Sequence, residues 1–158
     1  YRLDSSNYPS YLSVNTFKTF FMMNEDDLIS KTIETIEKAA KEKNVFLDNN
    51  SRIQDSRVLK NGHKTMYAVF NGTIISNNIT DKVKIIGETW NCKTSGTSII
   101  VIGFAQTTNE SNNISNENLL YWAKIVKDKA NTFGIYLDES MNFFIGDDGL
   151  IFNVICHE

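Results

Sequence analysis

The chain has little of what usually announces a function. Its 158 residues include two cysteines, two histidines, one proline and eight glycines. Two cysteines cannot build a disulfide-dense scaffold. No apolar run approaches the roughly 18 residues that a membrane-spanning helix needs, so the sequence predicts no transmembrane segment. Basic residues (16) are outnumbered by acidic ones (19), for a net charge of −3. That balance argues against nucleic acid as a partner, because a phosphate backbone demands a basic surface. There is no Walker-type phosphate loop; the nearest stretch, Lys93-Thr94-Ser95-Gly96, has one glycine and no helix after it. Gly146-Asp147-Asp148-Gly149 lacks the alternating oxygen ligands of an EF-hand. No cofactor is expected.

What the chain does have is a foldable pattern. At 41% hydrophobic residues it is apolar enough for one core, and its length is that of one domain. Residues 24–43 read as a helix. Asn24 stands as N-cap, Glu25, Asp26 and Asp27 complement the dipole, and Ile29, Ile33, Ile36 and Ala40 form an apolar stripe that Asn44 closes. From residue 45 to 106 the period falls to two. Val45–Leu47 and Ser56–Lys60 are short strand candidates, and Asn61-Gly62 signals a hairpin into His63–Phe70. Lys82–Cys92 sets Val83, Ile85 and Gly87 against Ile86, Glu88, Trp90 and Cys92, and the unbroken run Ile99–Phe104 reads as a central strand.

A second helix is predicted from Ser115, with Leu119, Ala123, Val126, Ala130 and Phe133 on one stripe before Gly134. The C-terminal segment reads as a hairpin of Met141–Ile145 with Leu150–Cys156. Residues 1–23 form an N-terminal arm or edge strand, with Thr16–Met23 apolar enough for a short strand. The expected fold is a single α+β domain over residues 1–158. It is a two-layer sandwich in which a mainly antiparallel sheet of about five to six strands is covered on one face by two amphipathic helices.

The chemistry-bearing residues are few. Cys92 and Cys156 each end a predicted strand. A bridge between them would close a loop of about 65 residues and stabilise the fold by roughly 4 kcal/mol, given an oxidising compartment. As a nucleophile and base, Cys92 with His63 and with Glu88 as orienting acid is the least bad constellation, although no nucleophile motif surrounds it. Cys156 and His157 are neighbours on one predicted strand and point to opposite faces. His63, Cys92, Cys156 and His157 have zinc- or copper-compatible donors, but the usual close ligand spacings are missing, so no metal centre is expected.

The 19 asparagines supply five glycosylation sequons, at Asn49, Asn71, Asn78, Asn109 and Asn113, all expected in turns. The chain begins Tyr1-Arg2-Leu3, which reads as a processed chain or a fragment. The leading expectation is therefore a non-catalytic extracytoplasmic domain, secreted or surface-anchored, that binds a protein or small ligand. Two alternatives stand beside it. One is an enzyme of unknown reaction using the Cys/His pair; the other is a cytoplasmic structural or regulatory subunit assembling, with a protein partner or as a homo-oligomer, through its N-terminal arm.

Overall fold

The computed structural model describes residues 2–3, 10–18, 21–76, 79–109, 135–137, 143–145, 151 and 154–156. Among them the chain runs β1 (Arg2–Leu3), β2 (Ser10–Phe17), α1 (Glu25–Glu42), β3 (Val45–Val58), β4 (Lys64–Ser76), β5 (Ile79–Cys92), β6 (Thr97–Asn109), β7 (Ile135–Leu137) and β8 (Phe143–Ile145). One sheet has the order β1-β2-β6-β5-β4-β3, with every neighbouring pair antiparallel; β7 and β8 form a separate two-stranded hairpin. The fold is thus α+β, with α1 packed on five long antiparallel strands. Among the described residues one helix covers the sheet, not two. The second helix predicted from Ser115 to Phe133 lies outside them.

Helix α1 starts where its cap dictates. Asn24 Oδ1 accepts the Asp27 backbone N–H at 2.8 Å, and Glu25, Asp26 and Asp27 occupy the positive end of the dipole. The helix stops at Asn44, whose φ of +55° is the left-handed geometry that asparagine tolerates and that ends helices. Its most buried stripe is Leu28, Thr32, Ile36 and Ala40, and Ile29 and Ile33 pack beside it rather than at its centre. Thr32 belongs in that stripe because its hydroxyl pairs with Leu28 O (2.8 Å) and with the Thr89 hydroxyl of β5 (2.6 Å).

The helix can lie this close because β5 carries Gly87 beneath it. A Cβ at Gly87 would fall 2.8 Å from Ile36 Cγ1 and 2.9 Å from Thr32 Cγ2. Against α1 the sheet presents Ala68 and Phe70 of β4, Val83 and Ile85 of β5, and Ile100, Ile102 and Phe104 of β6. The central strands are buried on the opposite face too, at Val69, Ile86, Trp90, Ile99 and Val101. The run Ile99–Phe104 is therefore apolar throughout because both of its faces are dry.

Four expectations need correcting. Val45–Leu47 and Ser56–Lys60 are not separate strands but the two ends of β3, joined across a bulge between Asp48 and Ile53. The polar run inside that bulge is held by side chains: Ser51 Oγ donates to Asp48 O (2.6 Å) and accepts the Asn71 N–H (2.8 Å), a bond the ladder would otherwise supply. Consequently Asn49 lies in β3 and Asn71 inside β4, not in turns. Next, of the stretch Thr16–Met23, Thr16 and Phe17 belong to β2, and Phe21, Met22 and Met23 are in no strand. The arm pairs earlier, with β2 along β6 from Ser10 to Phe17, while Phe21 and Met22 are exposed.

Third, the hairpin signalled by Asn61-Gly62 is present between β3 and β4, but it turns over three residues, and Gly62 alone, not Asn61 as well, has positive φ (+81°). Gly62 N bonds Leu59 O and Leu59 N bonds His63 O, both at 2.9 Å, which is a type I turn with a glycine bulge. Finally, Phe143–Ile145 pairs with the preceding β7, and Val154–Cys156 is not in a strand. Val154 N turns back to Ile151 O (3.1 Å) and Val154 O accepts from the Asn61 side chain (2.8 Å).

Candidate functional site

The pairing of β3, β4 and β5 places Asp55, Arg57, Thr65, Tyr67, Glu88, Trp90 and Cys92 on the face away from α1. Two arrangements on that face gather the chemistry of the molecule. The first is an ion pair. Glu88 is fully buried, and a bare carboxylate there would be prohibitively costly. Arg57 reaches across β4 to it with a two-pronged grip, Nε to Oε1 at 2.8 Å and Nη2 to Oε2 at 2.6 Å. The Thr65 hydroxyl, also buried, donates to Oε1. Beside them the Tyr67 phenol is pushed above its ordinary range, first by burial and then by the negative Asp55 and Glu88, against the opposing pull of Arg57.

The second arrangement is a thiol–imidazole cluster. His63 follows the β3–β4 turn, Cys92 ends β5, and Cys156 lies in the C-terminal segment that Asn61 ties down through Val154. One donor atom from each lies within 4.8 Å of the other two. The two cysteines approach to 3.1 Å as thiols, without the bond of about 2.0 Å that would join them. Cys92 is buried, whereas His63 and Cys156 are half-buried. The Cys156 thiol is pushed up by burial and by the Cys92 thiol beside it, while the Trp90 indole N–H acts in the opposite direction. Among the described residues Trp90 Nε1 has no oxygen or nitrogen acceptor, and it acts on the Cys156 sulfur.

The sequence-derived candidates therefore separate. Cys92, Cys156 and His63 come together. Glu88 shares their face but is engaged by Arg57 and Thr65, so its carboxylate is a buried counter-ion. His157 and the Asp147 and Asp148 carboxylates lie outside the described residues. Of the sequons, Asn49 and Asn71 are exposed. Asn78 and Asn113 lie outside the described residues, and Asn109 ends β6.

Arg57 and Thr65 were not anticipated as site residues. The signal was present in β5, where a glutamate alternating with Ile86 and Trp90 on a buried face requires a cation nearby. Among the described residues no helix is long and apolar enough to cross a membrane. Comparison of the chain with protein-family models, with curated proteins and with solved structures finds no match.

Proposed function

We propose that this chain is a non-catalytic extracytoplasmic domain that acts by binding a protein partner, its C-terminal segment clasped to the sheet by a Cys92–Cys156 disulfide. The observation that carries the reading is the setting of Cys92. Its thiol has no exposed surface, and it sits 3.1 Å from the other cysteine. A nucleophile needs access and a charged form stabilised by its surroundings; a half-cystine needs only a neighbour.

Closing the clasp removes one hydrogen from each thiol. Both electrons pass to a disulfide of the oxidising compartment, which leaves as two thiols. The exposed Asn49 and Asn71 supply glycan acceptors.

A surface for a partner is available on β3, an outer strand of the sheet among the described residues, where Phe46 and Ile53 are each more than half exposed on the face away from α1. The bulge between Asp48 and Ile53 interrupts that edge, which disfavours indiscriminate strand addition.

Thiol kinetics on the reduced native chain test the non-catalytic reading. Cys92 is expected to react with iodoacetamide far more slowly than a free thiol, at a rate that His63→Ala leaves unchanged. Fast labelling of Cys92 at neutral pH that depends on His63 contradicts it and favours the enzyme alternative.

A further inference from the structure

We propose that His63, Cys92 and Cys156, with both thiols reduced, form a binding site for a thiophilic closed-shell cation, Zn²⁺ being the ion that suits the donor set. The inference concerns the same sulfurs as the clasp, in their other oxidation state, and rests on the adjacency that the clasp reading also uses.

Geometry supplies the first argument. Three donor atoms no more than 4.8 Å apart all lie within about 2.8 Å of a common point. Bonds of about 2.3 Å to sulfur and 2.0–2.1 Å to nitrogen are then reached by inward shifts of roughly half to three-quarters of an ångström. The sulfurs, 3.1 Å apart, must spread to about 3.8 Å around a tetrahedral ion. Cys156 can supply that movement, because its segment is not in a strand.

Donor chemistry supplies the second. Two thiolates and an imidazole are soft to borderline ligands, which disfavours the oxygen-seeking Ca²⁺ and Mg²⁺. Each thiol loses its proton to solvent on binding, and the two thiolates balance the charge of the ion. Cys92 is buried and His63 and Cys156 are half-buried, and a water would complete a four-coordinate shell around the three protein donors.

The main chain that carries His63 and Cys92 is anchored before any ion arrives, while the Cys156 segment is tethered two residues away and keeps room to adjust. His63 is fixed by the 2.9 Å backbone bond to Leu59, Cys92 by its pairing with Thr97, and the Cys156 segment by the Asn61–Val154 bond. Ligand spacing in the sequence is blind to such a site, because its members come from three separate segments.

The test uses the full chain, reduced and kept under argon. Co²⁺ is added first, as a spectroscopic stand-in, and Zn²⁺ then competes against a chromophoric chelator. The expected result is one ion per chain, thiolate-to-cobalt charge-transfer absorption, and Zn²⁺ affinity weakened at least about a hundredfold by Cys156→Ser and about tenfold or more by His63→Ala. Should either variant fold poorly, the wild-type chain still decides. Zn²⁺ is expected to raise the melting temperature of the reduced chain and to leave that of the oxidised chain unchanged. No uptake of micromolar Zn²⁺ by the reduced chain, or uptake that both variants retain in full, overturns the proposal. Failure here is distinct from failure of the clasp, since a secreted chain without a disulfide contradicts the clasp and leaves Zn²⁺ uptake by the reduced chain as it was.

Discussion

Replacing Arg57 with leucine removes the one positive group that, among the described residues, grips the Glu88 carboxylate. The arginine side chain is 7% exposed and the glutamate side chain is not exposed at all, so water cannot take over the lost interaction. Breaking a buried pair from one side costs about 3–5 kcal/mol, because the surviving charge keeps its full desolvation penalty. Against a typical total of about 5–15 kcal/mol, that is a large share of the domain's stability. The Thr65 hydroxyl still reaches Glu88, but one neutral donor does not replace two charged ones.

The double variant separates a stranded charge from lost packing. With Arg57→Leu and Glu88→Leu together no charge is stranded, and the Thr65 hydroxyl can turn to Arg57 O, a main-chain atom 3.3 Å away that survives the substitution. The double variant is therefore expected to lose less than about 2 kcal/mol, far below the sum of the two single changes. Urea denaturation of the four proteins measures this. A single Arg57→Leu cost below about 1 kcal/mol, or a double variant equal to the sum of the singles, refutes the buried-pair account.

Other consequences are open to direct measurement. Gly87→Ala is expected to cost about 1–3 kcal/mol in the same denaturation assay, since the new methyl meets Ile36 and Thr32 inside 3 Å; a neutral result contradicts the close approach of α1 to β5. Asn24→Ala removes the acceptor of the Asp27 N–H and should cost about 1 kcal/mol, with helical signal lost first at the N-terminal turn by hydrogen exchange.

Tyr67 gives a pH dependence. Its neutral form is favoured in the folded chain, so the stability it contributes is present below the ordinary tyrosine value of 10.0 and is lost as the pH rises through its higher folded value. Ultraviolet titration should show one tyrosine ionising later in the native chain than in urea, and later still in Arg57→Leu. A native curve that superimposes on the denatured one contradicts this. For the chain expressed with a secretory leader, glycan is expected on Asn71 or Asn49, read as a mass loss on endoglycosidase treatment.

The sequence was most legible where one physical rule decides the outcome. Helix α1 has a cap, an acidic first turn and an asparagine stop, so its ends fall within a residue of the expected 24–43. Strand β5 keeps its alternation from Val83 to Cys92, and its two faces are as expected. Legibility failed where side chains substitute for backbone pairing. The polar stretch 48–52 resembles a loop, yet Ser51 stitches it into β3 as a bulge. Leu150–Cys156 resembles a strand, but Val154–Cys156 is in none.

At the site, composition marked Cys92, Cys156 and His63 as worth watching, and spacing could not place them together. Glu88 was visible as an unusual residue, but its partner Arg57 is 31 positions away in sequence and on a strand that is not its neighbour in the sheet.

The most direct test of the clasp is a peptide map of the unreduced chain, isolated from a secretory host with free thiols blocked at lysis. The account predicts one peptide in which Cys92 and Cys156 are joined, two hydrogens lighter than the sum of its parts and split by reductant. Recovery of both cysteines as blocked, unlinked thiols in that sample contradicts it.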